Sequence, residues 1–564
     1  MKLIKFFLAA VSLFLGFRPV TAVAAHFYIE TSATLVDGTA PAFKNLKPGD
    51  TIFFRGGQKD RLLIRNVTGD AKKPVFLMNC DGTVLINTDW YYGIVLQQCR
   101  YVRLSGTGDR NFFYGFMITR VKGGAGISVG TLSSDVELDH IYISNCSIAG
   151  IYAKTDPDCS FASTRDKFVQ NNTVIHDCSI SNVGNEGMYI GSSFYSGETM
   201  QCNGKDTLVF PHLLSGVRIY NNIVRNTGWD GIQVGSASVD CKIYNNLVEF
   251  DSQAGTKDQM SGILIGGGSD CDCYNNYIYK GKGDGIESLG LGGYRIYNNI
   301  IVDAGYNFEP DNPDREKHGI YQGDVSTRPG SSYFILFNDI INPKTDGIRF
   351  NSLVSRNNLI ASNVIIHPGG GSSAYIKAAS SYSISEKNNY QAMSAAGCGF
   401  QDTLYSLKPG SPLIDAGYSG NQVIAFDFNS RPRPFGKASD QGAQEYNGNT
   451  DPPKQMSIYR GKGMEVPNLA GSLSVDPVVF PNPAVNSIVI RYYLDTAAGI
   501  GLDVYTMEGN RVLHSDDNNL PAGNHQLAVR ISDLPGGVYL YSLRLQGEKN
   551  LENMIYNGRF YKIK

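Results

Sequence analysis

An acidic residue followed by Gly-Ile recurs along this chain: Asp230 in WDGIQV, Asp284 in GDGIES and Asp346 in TDGIRF. Glu186 in NEGMYI and His318 in KHGIYQ stand at the matching place. Three residues after each of these come Tyr189, Gln233, Glu287, Tyr321 and Arg349. Carboxylates, an imidazole, a phenol and a guanidinium at one repeated spacing are the groups that proton transfer and charge neutralisation require. Asp-Gly is also ordinary turn chemistry, so each aspartate has a structural reading beside the chemical one.

What would hold these residues is itself a repeat. The Gly-Ile element falls at Gly126, Gly150, Gly187, Gly231, Gly262, Gly285, Gly319 and Gly347, with a minimum spacing of about 23 residues. Between these positions runs a second block, VRIYNN, CKIYNNLV, CDCYNNYI and YRIYNNII, which aligns Asn222, Asn246, Asn276 and Asn299. Short runs alternating with period two, broken by Asn and Gly, are strands and corners. Three such strands per unit cannot bury a core alone, so the units must stack as a parallel β-helix. Asparagine suits the corners, because it tolerates left-handed backbone and can hydrogen-bond from one unit to the next.

Alternation then sorts the side chains. With Ile232 and Val234 inward, Gly231, Gln233 and Gly235 face outward. The same register puts Ser128, Tyr152, Tyr189, Gln233, Leu264, Glu287, Tyr321 and Arg349 in one outward column, which the flanking glycines would leave in an open furrow. Neighbouring rungs about 4.8 Å apart would bring Glu287, Tyr321 and Arg349 within roughly 10 Å. Glu287, His318, Tyr321 and Arg349 are therefore the catalytic candidates. Tyr152, Lys154, Tyr189, Gln233, Glu186, Asp230, Asp284 and Asp346 are the substrate-binding candidates.

Composition narrows the partners. The 564 residues include 63 glycines and 33 tyrosines, and the net charge is −2, so a turn-rich β protein is expected and nucleic acid is not. The N-terminus MKLIKFFLAAVSLFLGFRPVTAVAA has the charged, apolar and small-residue parts of a secretory signal over residues 1–25, and no later stretch reads as a membrane helix. Export permits disulfides. Cys159 and Cys202, in two polar loop stretches, form the first candidate pair, whereas Cys146 and Cys178 sit in matching strand positions as bond or packed thiols.

Residues 46 to 86, LKPGDTIFFRGGQKDRLLIRNVTGDAKKPVFLMNCDGTVLI, resemble the opening of right-handed parallel β-helix proteins of the pectate-lyase-like superfamily. SLKPGSPLIDAG at 406–417 and DQGAQEY at 440–446 resemble the end of such domains. The resemblance implies an all-β chain with a β-helix over 26–446, and a substrate groove on the outward column. Beyond a linker at 447–472, residues 473–564 alternate strands and turns as a small β-sandwich. They resemble the type IX secretion system C-terminal sorting domain through Pro481-Asn482-Pro483, VYTMEGNRV, LPGGVYLYSL and the terminal Lys562-Ile563-Lys564. That implies the type IX machinery as a partner and a secreted or outer-cell-surface location.

Three functions remain open at this point, all on extracellular polysaccharide. A lyase on uronic-acid glycans needs the substrate carboxylate neutralised, by calcium or by cations such as Arg349, Lys317 and Lys154, together with a proton acceptor. Glu309, Asp311, Asp314 and Glu316 in NFEPDNPDREKHG are candidate calcium oxygens. A glycoside hydrolase needs two carboxylates about 5–9.5 Å apart, drawn from Asp230, Asp284, Glu287 and Asp346. A non-catalytic glycan-binding or adhesion protein would use the same tyrosines for stacking alone.

Overall fold

The computed structural model describes residues 24–309, 316–370, 373–380, 383–402, 404–420, 424–448, 478–480, 484–494, 498–506, 510–521, 523–546 and 555–563. Nearly all of the signal segment and of the linker, together with Asp311, Asp314, the Pro481–Pro483 motif and Lys564, lie outside these residues. Among the described residues no helix is long and apolar enough to cross a membrane.

From His26 to Ala392 the chain winds as a parallel β-helix. One wall is a 12-stranded parallel sheet that contains Ile151–Ala153, Met188–Ile190, Ile232–Val234, Ser261–Ile265, Asp284–Ser288, Ile320–Gln322 and Ile348–Phe350. A 23-stranded sheet supplies the other two walls and bends where each coil turns at its asparagines. One coil illustrates the unit: Arg218–Tyr220, the corner Asn221-Asn222, Ile223–Thr227, a second corner, then Ile232–Val234. Inward residues of all three walls, including Ile219, Val224, Ile232 and Val234, merge into one buried cluster that runs from Ile29 to Ile365. Burial of this continuous cluster is what no single coil achieves.

The two asparagines of each corner divide the work. The first takes left-handed backbone, with φ of 55° at Asn221, 57° at Asn245, 56° at Asn275 and 52° at Asn298. The second turns inward and is fully buried. Its Nδ2 donates to Oδ1 of the next asparagine, from Asn222 through Asn246, Asn276, Asn299, Asn338 and Asn363 to Asn389, each at 2.9–3.0 Å. The same Oδ1 atoms accept backbone N–H groups, as Asn246 Oδ1 does from Asn222 N at 3.1 Å. Every buried polar atom of this column thus finds a partner.

The repeated glycine answers to crowding, which corrects its expected outward position. A Cβ on Gly231 would lie 2.4 Å from Val248 Cγ1, in the core, and 2.5 Å from Gly262 O. Gly285 meets the same walls, with Ile301 Cγ2 at 2.4 Å and Gly319 O at 2.5 Å. Successive coils approach so closely at this inner corner that only a hydrogen fits.

The third wall is covered by the tail of the helix domain. Cys398, Leu404, Leu407, Leu413, Phe428 and Ala443 pack with Ile223, Leu247, Tyr277, Ile300, Ile341 and Ile366, one residue from each of many coils. Asn298 Nδ2 donates to Phe426 O at 2.8 Å, and Tyr418 N to Ser362 Oγ at 2.7 Å. The tail covers this face over the coils from Ile223 to Ile366.

Two cysteine pairs are joined, Cys159–Cys202 and Cys241–Cys271. The second was not expected from the sequence. Cys146 and Cys178 are buried free thiols. In the C-terminal part, a three-stranded and a four-stranded antiparallel sheet share one core of residues such as Ile490, Val529, Leu502, Tyr541 and Phe560.

Candidate active site

The 12-stranded sheet sets the outward column in register. Tyr152 pairs with Ser128 and Tyr189, Tyr189 with Gln233, Gln233 with Leu264, Leu264 with Glu287, Glu287 with Tyr321, and Tyr321 with Arg349. Lys377 follows Arg349 on the next coil. The column is not one open furrow. Gln233 is only 2% exposed, because Ser193 of the inserted segment lies over it and accepts from Gln233 Nε2 at 2.7 Å. Leu264 beside it is buried too. Gln233 therefore serves to seat the insertion rather than to face a sugar.

Two half-buried stretches remain on either side. Toward the N-terminus, Tyr152 and Tyr189 meet edge to face at 5.7 Å, and Lys154 Nζ sits 4.4 Å from the Tyr189 ring while pairing with Asp156 at 2.9 Å. Toward the C-terminus stand Glu287, Tyr321 and Arg349, which the insertion leaves half-buried.

The residues that precede each glycine were expected at an ordinary turn. They are instead almost fully buried and lean toward the outward column. Asp284 and Asp346 act as ties between coils: Asp284 Oδ1 accepts from His318 N at 2.6 Å, and Asp346 Oδ1 from Ala374 N at 2.7 Å. Asp230 does not. It is 0% exposed, and neither carboxylate oxygen has a hydrogen-bond partner. One oxygen of Glu186, on the preceding coil, is likewise buried and unpartnered.

Around Asp230 the structure gathers a charge cluster. Lys317 Nζ donates to Asp284 Oδ2 at 2.8 Å, and Ser261 Oγ to Glu287 Oε2 at 2.7 Å. Burial, then the carboxylates of Glu287, Glu186 and Asp251, push Asp230 well above the usual carboxylate range. Burial followed by Asp284 lifts Glu287 to about 7, and burial lifts Asp251 to about 6. Burial also disfavours the charge on Lys317, but Asp284, Glu287 and Asp230 outweigh it and raise that group above its ordinary value. Lys317 is the cation of a site with more acid than base.

His318 is 3% exposed and stacks on Tyr321, with centroids 5.9 Å apart. Its Nδ1 lies 3.3 Å from Asp346 N and 2.8 Å from Thr345 Oγ1. Burial lowers its pKa, so the ring is neutral at pH 7. Arg349 is held by Glu316 at 2.7 Å through Nη2, and its Nε lies 2.7 Å from Asp346 Oδ2.

The structure thus joins the four catalytic candidates at one corner, with Lys317, Asp284 and Asp230 beside them. Tyr152, Lys154 and Tyr189 stand apart, on the far side of Gln233. Asp251 and Ser261 went unrecognised in the sequence as members of the cluster. Ser261 carried a signal, since it occupies the pre-glycine column, whereas Asp251 lies outside the repeat. The expected calcium loop is otherwise employed in its described part: Glu309 pairs with Lys344 at 2.7 Å and Glu316 with Arg349.

Residues 478–557 match the model of the secretion system C-terminal sorting domain family. The chain is accordingly a secreted or cell-surface protein whose partner is the secretion machinery. Among solved structures, the chain is similar to pectate lyase Pel9A at 13% identity, covering 76% of this chain and 97% of that one, with a TM-score of 0.40. It is similar to an alginate lyase from Paenibacillus sp. str. FPU-7 at 14% identity, covering 64% and 95%, with a TM-score of 0.28. The A-module of the Azotobacter vinelandii mannuronan C-5 epimerase AlgE4 aligns at 15% identity over 61% and 87%, with a TM-score of 0.30. No curated protein sequence matches the chain.

Proposed function

We propose that this chain cleaves uronic-acid polysaccharide outside the cell by β-elimination at the Glu287–Tyr321 corner. The observation that supports the reading is Glu287, half-buried on the outward column, raised to about 7 by burial and lying near a lysine. In the proposed step Glu287 accepts the proton on C5 of a uronate, next to its carboxylate. The freed electron pair forms the C4–C5 double bond, the C4–O bond breaks, and the departing oxygen takes the phenolic proton of Tyr321 one coil away. Lys317 and Arg349 offset the charge that builds on the uronate carboxylate. His318 positions Tyr321 by stacking and, being neutral, adds no competing charge.

Glu186, Asp230 and Asp284 do not bring three ligand atoms close enough together to hold a divalent cation such as calcium; at this corner Glu316, His318 and Asp346 do, with ligand atoms within 4.8 Å of one another.

Glycoside hydrolysis is the second reading. A carboxyl group raised to about 7 next to other carboxylates is also what a general acid requires. Purified protein incubated with pectate, alginate and chondroitin, with calcium or with chelator, separates the two. New ultraviolet absorbance from the C4–C5 double bond supports elimination. Reducing ends without that absorbance support hydrolysis, and binding without products overturns both.

A further inference from the structure

At the corner opposite Asp230, where the chain leaves Ile232–Val234 and enters Cys241–Tyr244, lies a polar cleft of about 660 Å³. Lys242, Asp270, Asp272, Arg295, Arg328 and Phe334 are among the residues that line it. It shares no residue with the Glu287 corner, and the width of the 12-stranded sheet separates the two.

The charges in this cleft are unequally committed. Arg295 N donates to Asp272 Oδ1 at 2.9 Å, and its guanidinium pairs with the same carboxylate, so these two neutralise each other. Asp240 at the rim is taken by Arg218. Among the described residues no ion pair holds Lys242 or Arg328. Two cations therefore face the cleft uncommitted, and Asp270 is the remaining acid, with Arg328 and Asp272 as its charged neighbours.

The wall beside the cleft is regular. Arg218, Lys242, Asp272 and Arg295 follow one another coil by coil, two residues from a parallel row of stacked rings. That row runs His176, Tyr220, Tyr244, Tyr274, Tyr297, with centroids 4.7–4.9 Å apart and planes within 9° of parallel. Their faces are used on one another, so only ring edges and hydroxyls are offered outward.

We infer that this cleft is a second saccharide site, one that grips a carboxylate-bearing sugar away from the catalytic corner. Lys242 and Arg328 take the carboxylate, Asp270 accepts from sugar hydroxyls, and Phe334 and Val239 give the ring an apolar contact. Such a site would hold a distant part of a long acidic chain while another part lies at Glu287. The choice of an acidic sugar rests on the proposed function, whereas the cleft and its two uncommitted cations do not.

The test uses the full secreted chain in calorimetric titration with hexamers of galacturonate, hexamers of mannuronate, a neutral glucose hexamer and sodium sulfate. Wild type should bind one or both uronate hexamers, more weakly as salt rises, and leave the glucose hexamer unbound. Lys242→Ala with Arg328→Ala should weaken uronate binding by about tenfold or more, and Asp270→Asn by less. Glu287→Gln should remove products while this binding persists. If the double alanine variant, folded by circular dichroism, binds the hexamers like wild type, the inference falls whatever the activity. If sulfate alone competes the hexamers away from wild type at equal molarity, the cleft is a bare anion site and the saccharide assignment fails. Loss of binding in the double variant of a chain that makes no products would uphold the cleft and overturn the proposed function.

Discussion

Two columns of polar residues climb this β-helix one coil at a time, and they end in opposite conditions. In the asparagine column each Nδ2 and Oδ1 is engaged, from Asn222 to Asn389. In the pre-glycine column, Asp284 and Asp346 tie neighbouring coils, while Asp230 lies as deeply buried with both oxygens idle. A buried polar group left without a partner costs about 1–3 kcal/mol, more if it is charged. Repetition in itself therefore does not distinguish scaffold from chemistry. What distinguishes them is whether the repeat satisfies its own atoms.

That contrast can be broken at four places. The largest effect should come from Glu287→Gln, which removes the proton acceptor and should lower kcat by about 10²–10⁴-fold with the unfolding midpoint nearly unchanged. In wild type the activity should rise with pH through about 7, because Glu287 must be ionised to accept a proton. A pH profile without that limb would remove Glu287 from the role.

Asn276→Ala should do the reverse. It takes away the acceptor of the Asn246 N–H and one acceptor of Asn246 Nδ2, together with a donor to Asn299 Oδ1 and to Ile243 O, and should cost about 3 kcal/mol or more in urea unfolding. Gly285→Ala sits between the columns. Its methyl would press on Gly319 O and Ile301, and about 2 kcal/mol of destabilisation is expected.

The smallest effect, and the one of opposite sign, belongs to Asp230→Asn. The folded pKa of Asp230 lies above its ordinary 3.8. Below that value both folded and unfolded chains hold the proton, and above it the unfolded chain ionises first. Stability should fall as pH rises from about 4 in wild type, and less so in the variant. Asp230→Asn should thus be about 1 kcal/mol more stable at pH 7.

Much of this was legible in the sequence because a stacked fold writes its register into its spacing. Once Ile232 is core, Tyr321 must lie between Glu287 and Arg349, and it does. Gly231 was misplaced because period-two alternation holds within a strand and fails at a corner, where backbone approach decides the direction. Gln233 was misjudged because insertions lie outside the repeat, and Ser193 reaches it from one of them. The condition of Asp230 was out of reach for a related reason. Its aspartate-glycine is spelled like those at 284 and 346, and only the packing around it shows that its oxygens have no partner.

The tail that straps the third wall bears on the order in which the molecule is made. Its apolar residues find their partners on coils from Ile223 to Ile366, so the strap has nowhere to dock until that whole stretch has stacked. It also stands immediately ahead of the segment that precedes the sorting domain. Completion of the strap thus depends on contacts far apart in sequence.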